Sequence, residues 1–211
     1  MTNEASRDAV RETFDRIADH FARTRTTPWE EVTSFLDHRD SVDVGLDLGC
    51  ANGRHLPVLA RRCNRTIGID ISRQLLVGAR RNQRTVSTIL QGDATAIPMI
   101  SDAVDLVLYI ATIHHLPSED ERRQSLNELQ RIMRSDGTVL LSTWSVTHDR
   151  FEDIEPGDHF IPWTLPNGEQ LDRYYHLYDL ENFEATIRSS RLQVDRVWES
   201  GGNCWAIARS P

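Results

Sequence analysis

Val42-Asp43-Val44-Gly45-Leu46-Asp47-Leu48-Gly49-Cys50-Ala51-Asn52-Gly53 runs from an apolar strand into a turn bracketed by glycines. Glycine at such a turn lets the backbone approach a ligand closely. In open α/β sheets, ligands sit at the carboxyl ends of the strands. The loop is not the GxGxxG of dinucleotide enzymes, and alone it reads equally well as a tight turn. Two further segments decide between the readings. The next strand ends Gly68-Ile69-Asp70, and a third ends Gln91-Gly92-Asp93-Ala94. An acid about 20 residues beyond a glycine loop is placed to hold ribose hydroxyls. One such Asp is commonly a loop cap; three in register point to a shared ligand.

Around this stretch the chain alternates strand and helix. Strands are expected at Val42–Leu48, Thr66–Ile71, Ser87–Gln91, Val104–Ile110 and Thr138–Trp144. Helices are expected at Arg54–Arg62, Ser72–Asn82 and Glu119–Met133, the last stopped by Asp136-Gly137. Repeated strand-helix-strand units imply a parallel sheet covered by helices on both faces. Upstream, Val10, Phe14, Ile17 and Phe21 recur at helical spacing within Ala5–Ala22, and a second short helix follows Pro28 with Trp29, Val32, Phe35 and Leu36 on its apolar side. Downstream, Ser145–Tyr178 is rich in aromatics, His, Pro and Gly and reads as a long irregular connection, a feature that is usually functional. Leu180–Ser190 reads as a helix, and Gln193–Trp198 with Cys204–Ala208 as a closing strand pair around Gly201-Gly202. The expected organisation is one α/β domain: a helical cap over 1–40, a cofactor-binding half over 42–144, an irregular substrate-side insertion over 145–178 and a closing helix and strands over 179–211.

Composition sets the class. Of 211 residues, 39% are hydrophobic, enough for a globular core. No apolar run reaches the roughly 20 residues of a membrane helix, and Met1–Arg16 is polar, so no membrane role and a cytoplasmic location are expected. Cys50, Cys63 and Cys204 form no zinc-ligand pattern, so no metal site is expected in this chain. All 24 basic residues are arginine, against 32 acids, giving a net charge of −8. Such a lysine-free acidic surface suggests a salt-rich cytoplasm; a GC-rich genome explains the missing lysine but not the excess of acids.

The order DLGCANG, GID, GDA, DLVLYIATIHHL and RSDGTVLLS over Val42–Trp144 resembles the class I S-adenosylmethionine-dependent methyltransferases, whose fold is a Rossmann-like, mostly parallel seven-stranded sheet. By that resemblance S-adenosylmethionine is the cofactor. Asp47, Gly49 and Gly53 would line its methionine part, Asp70 would hold its ribose hydroxyls, and Asp93 with Ala94 would face its adenine; Cys50, Ile71 and Ile110 are further cofactor-binding candidates. The flanks narrow the resemblance. Ile17-Ala18-Asp19-His20-Phe21, Thr24-Arg25, Pro28-Trp29, Ala111-Thr112-Ile113-His114-His115, Phe160-Ile161-Pro162-Trp163, Arg173-Tyr174-Tyr175-His176-Leu177-Tyr178 and Asn203-Cys204-Trp205-Ala206-Ile207 together resemble the tRNA methyltransferases that esterify 5-carboxymethyluridine at the wobble position.

That resemblance implies a tRNA substrate and a small zinc-binding activator subunit. Arg25, Arg173, His115 and His176 become the candidate catalytic residues, with the arginines on the carboxylate or nearby phosphates and His115 orienting the uracil or carboxylate. Thr85–Gln91 carries no Pro and no charge, so strand 87–91 lacks the usual protection of a sheet edge and is the expected site of pairing with the activator. The acidic composition departs from the basic groove that tRNA normally requires; either the arginines cluster locally or the partner supplies contacts. Two other functions fit the cofactor loop alone: methylation of a small metabolite, and a non-catalytic, cofactor-binding scaffold.

Overall fold

A computed structural model describes residues 5–82 and 87–211. The helices are α1 (Arg7–Thr24), α2 (Glu30–Asp37), α3 (Leu56–Leu59), α4 (Arg73–Asn82), α5 (Glu119–Ile132) and α6 (Leu180–Arg188). The strands are β1 (Val42–Leu48), β2 (Cys63–Asp70), β3 (Ser87–Gln91), β4 (Val104–Ile110), β5 (Met133–Trp144), β6 (Gly157–Thr164), β7 (Gln170–Leu177), β8 (Gln193–Ser200) and β9 (Asn203–Arg209). Seven strands form one sheet in the order β3-β2-β1-β4-β5-β9-β8. The first five are parallel, and β9 and β8 close the far side antiparallel. The chain steps outward one way from β1 and the other way from β4. That reversal opens a crevice above the carboxyl ends of β1 and β4, where a ligand of such a sheet belongs.

Burial on both faces explains the near-continuous apolar strands. On one face Tyr109, Val139 and Leu141 meet Leu126, Leu129 and Ile132 of α5 and Phe183 and Ile187 of α6. On the other, Leu106, Leu108 and Leu140 meet Val32, Phe35 and Leu36 of α2 and Val58 and Leu59 of α3. Burying each such side chain contributes roughly 1.5–3 kcal/mol relative to exposure. α5 begins with a reciprocal capping box between Ser118 and Glu121.

Three expectations need correction. The helix at Arg54–Arg62 is a single turn, α3, carrying Pro57 at its start. Asp136-Gly137 does not stop α5; β5 begins directly at Met133, and the pair lies inside it at a register shift against β4, with Asp136 at φ 65°. The third correction is the largest: much of Ser145–Tyr178 is regular. β6 and β7 form an antiparallel hairpin, from Gly157 opposite Leu177 to Thr164 opposite Gln170. Its alternation is hidden because both faces carry large side chains. Trp163 and Leu171 pack on Ile17 of α1, while Phe160 and Tyr174 meet edge to face on the reverse side. Pro162 is tolerated because β6 is a hairpin edge. β3 is the outer strand of the main sheet, bonded to β2 alone; Thr85 and Val86 of the expected edge segment lie outside the described residues.

Candidate active site

The glycine loop is held open by its own backbone. Gly49 and Cys50 both donate to Ile69 O, at 2.7 and 3.0 Å. Gly49 has φ +76°, and a Cβ there would lie 2.1 Å from Thr112 Oγ1, so glycine alone fits between the loop and the end of β4. Asp70 ends β2 with both oxygens occupied on the protein side. Oδ2 accepts from Ala51 N and Oδ1 from Ser72 N, each at 2.8 Å. Burial lifts its pKa to about 6, against those backbone donors. Asp93 ends the loop after β3. Its Oδ1 accepts from Thr95 N and Thr95 Oγ1, and Oδ2 pairs with Arg7 of α1, which also reaches Glu121 Oε1 at 2.8 Å.

α1 is tied to every one of these loops. Beyond the Arg7 pairs, Asp15 Oδ1 accepts from Ser72 Oγ and Gln74 N at 2.6 and 3.0 Å, and Asn52 Nδ2 donates to Arg25 O at 2.8 Å. Below it lies a cavity of about 430 Å³. Gly49, Cys50, Asp70, Ile71, Asp93, Ala94 and Ile110 line one end, and Arg25, His115 and Arg173 line the other. The structure thus brings ten of the candidate residues to one cavity. Asp47, Gly53 and His176 do not line it. Asp47 lies behind the loop, 1% exposed, with Oδ2 unpartnered among the described residues. Burial lifts its pKa to about 7, while Arg54 opposes the shift. Gly53 closes the turn at φ +76° against Leu56 and Ala79.

The fit to S-adenosylmethionine rests on this end. A carboxylate tied from behind at Asp70, a backbone loop that only glycine can form at Gly49 and an apolar wall at Ile71 and Ala94 suit a ribose, an amino-acid tail and a base. A profile of the methyltransferase domain matches residues 46–141. A methyltransferase relative from Encephalitozoon cuniculi is 31% identical over 190 residues, covering 86% of this chain and 85% of that one. The chain belongs to the S-adenosylmethionine-dependent methyltransferases. Its tRNA (carboxymethyluridine(34)-5-O)-methyltransferase relative from Schizosaccharomyces pombe is 28% identical over 99% of both chains. The Xenopus tropicalis protein of that activity is 35% identical, but the match spans only 22% of its length. Among solved structures, the methyltransferase of a Haloferax volcanii complex with the Trm112 methyltransferase activator shares the fold, with a TM-score of 0.72 at 18% identity over 96% of this chain and 97% of that one.

The other end of the methyltransferase's cavity is built from the hairpin and the turn after β4. β7 alternates, so Arg173 and Tyr175 face the cavity while Tyr174 and His176 face away. His176 instead pairs through Nδ1 with Asp158 Oδ1 at 2.6 Å, and Tyr174 Oη donates to the same oxygen. This corrects the grouping of His176 with Arg173: three positions apart in a strand, they cannot face the same way. Arg173 Nη1 donates to Tyr175 Oη at 2.6 Å. His115 Nδ1 lies 2.9 Å from Tyr174 O, and burial drives its pKa down to about 3; His114 is pushed down too, chiefly by burial. Both rings are neutral near pH 7. Nδ1 of His115 must then carry the proton and donate, leaving Nε2 an acceptor.

Sequence reasoning missed several lining residues. Arg54, stacked over Trp29 at 4.8 Å, follows directly on the quoted loop. Tyr175 and Trp144, stacked at 4.7 Å, are visible once β7 is recognised as a strand. Arg7 gave no local signal, since it meets Asp93 across 86 positions. Among the described residues, no cluster of His, Cys, Asp and Glu could hold a metal ion, and no helix is long and apolar enough to cross a membrane.

Proposed function

We propose that this methyltransferase forms the methyl ester of 5-carboxymethyluridine at the wobble position of tRNA. The observation that carries the reading is the guanidinium of Arg173 on the cavity wall, with Nε and Nη2 unpartnered among the described residues, beside histidines that are neutral. When bound, S-adenosylmethionine supplies a methyl group activated by its sulfonium. A carboxylate is already ionised near neutral pH and needs no general base, so the protein's task is to hold an anion in line and exclude water. Arg173 and Arg25 suit that anion and the phosphates beside it, and Nε2 of His115 suits a uracil N–H. The relatives named for this ester, one of them matched end to end, support the same substrate.

The reading includes a small zinc-binding activator that adds a strand to β3, for which the Haloferax complex and the outer position of β3 are the support. The activator would also supply phosphate contacts that a chain of net charge −8 lacks. A cytoplasmic location, and a salt-rich one given the lysine-free surface, belong to the same proposal. The test is labelling of total tRNA with a radioactive methyl donor, with and without a candidate activator, followed by nucleoside analysis. Label in a base-labile ester on the wobble uridine is expected. Label confined to small metabolites, or cofactor binding without turnover, would replace this function with one of its rivals.

A further inference from the structure

Arg173 is a buried cation that meets no acid among the described residues; its one side-chain hydrogen bond goes to Tyr175 Oη. It is 3% exposed, and its Nε and Nη2 are buried without a hydrogen-bond partner among the described residues. Its guanidinium carbon lies 4.7 Å from the ring centre of Trp163, 5.0 Å from Tyr175 and 5.8 Å from Trp144. Aromatic faces attract a cation but leave its charge uncancelled. Burial makes the charged form harder to keep, and Arg150 and Arg25 add like charge. A buried charge is costly unless an opposite charge meets it. Arg25 differs: it is half-buried, and its Nη1 already donates to Thr24 O.

Resting on the reading that the substrate is a uridine carboxylate, we propose that Arg173 sorts ligands by charge rather than shape. It accepts the carboxylate, refuses the carboxamide of the same size and ceases to hold the methyl ester that the reaction makes. A carboxamide brings N–H donors against the guanidinium's own donors and no charge to offset it. In the transfer, a carboxylate oxygen lone pair forms the new O–C bond, the S–C bond breaks and its electrons return to sulfur, so the sulfonium becomes a neutral thioether. The substrate loses its negative charge in that step. The ion pair with Arg173 therefore exists before transfer and not after it.

The test uses three anticodon stem-loop RNAs that differ only in carrying carboxymethyl, carbamoylmethyl or methoxycarbonylmethyl at the wobble uridine. Their affinities are measured by fluorescence anisotropy on the full chain, with its activator and S-adenosylhomocysteine. The wild type should bind the acid at least roughly tenfold more tightly than the amide or the ester. Arg173→Gln should bring that ratio close to one while S-adenosylhomocysteine affinity, the check on folding, is kept. Should the Gln variant fail that check, Arg173→Met, an apolar filling for the aromatic box, carries the same expectation. Affinities within about twofold for all three RNAs in the wild type, or a tenfold preference that survives in a folded variant, would overturn the proposal. Ester formation without charge preference sinks the charge sorting alone; absence of ester formation on the acid RNA sinks the substrate reading first.

Discussion

The two ends of the cavity treat their polar groups oppositely. At the adenine and ribose end each acid is already tied to the protein: Asp70 to Ala51 N and Ser72 N, Asp93 to Thr95 and Arg7. At the far end Arg173 has two unpartnered nitrogens among the described residues. Several other arginines are matched with acids, as in Arg134 with Asp105, Arg209 with Asp195 and Arg131 with Glu128, while the buried Arg122 donates to Leu116 O. The contrast separates a rigid seat from an incomplete one. The cofactor end is fixed by its own backbone bonds, whereas the substrate end is left short of an anion. On the cofactor side Asp47 Oδ2, behind the loop, and Asn52 Oδ1, within it, still lack a partner among the described residues.

The contrast predicts separable losses, the largest at the incomplete end. Arg173→Gln should lower the single-turnover rate on RNA bearing 5-carboxymethyluridine by about a hundredfold, as expected when one partner of a buried charge pair is removed, with cofactor affinity unchanged in calorimetry. A parallel loss of cofactor binding would erase the distinction between the ends. Next in size, Asp70→Ala should weaken S-adenosylmethionine binding at least about tenfold, or 1.4 kcal/mol, and leave RNA affinity alone.

Titration of the buried acids gives a smaller effect. A carboxyl whose pKa is higher folded than unfolded favours the folded state while protonated. That contribution is complete below about pH 4 and is lost as pH rises through about 6 for Asp70 and about 7 for Asp47. The cofactor-free chain should therefore lose stability, read as a fall in melting temperature, between about pH 4 and 8. Asp47→Asn should flatten that slope; an unaltered slope in calorimetric melts would move the titration to other groups. Smallest of all, Arg7→Ala unties α1 from Asp93 and Glu121 at a half-exposed site. A two- to threefold loss of cofactor affinity, about 0.5 kcal/mol, is expected, and added salt should mask it.

The same contrast explains what could be read from the sequence. Asp70 and Asp93 each end an apolar run, and apart from the Arg7 pair of Asp93 their bonds go to residues within a few positions or to the neighbouring loop. Strand boundaries and glycines therefore locate them. Arg173 and His115 were located as well, but His176 was grouped with them because the β6–β7 hairpin did not show its alternation. With the strand recognised, His176 falls on the opposite face and Tyr175 takes its place. Arg7 reaches the cavity only through packing between segments far apart in the chain, and a linear pattern carries no trace of that; Arg54 borders the glycine loop, and Trp144 becomes legible once β7 is recognised.

The central claim is transfer to a carboxylate held by a cation without a general base. Single-turnover reaction of the chain with its activator, S-adenosylmethionine bearing a deuterated methyl group and an anticodon stem-loop with 5-carboxymethyluridine tests it most directly, read by nucleoside mass spectrometry. One labelled methyl should arrive on the side-chain carboxylate, be removed by mild base, and be absent from the same RNA with plain uridine. Label on a ring atom or ribose hydroxyl, or equal labelling of both RNAs, would contradict the account.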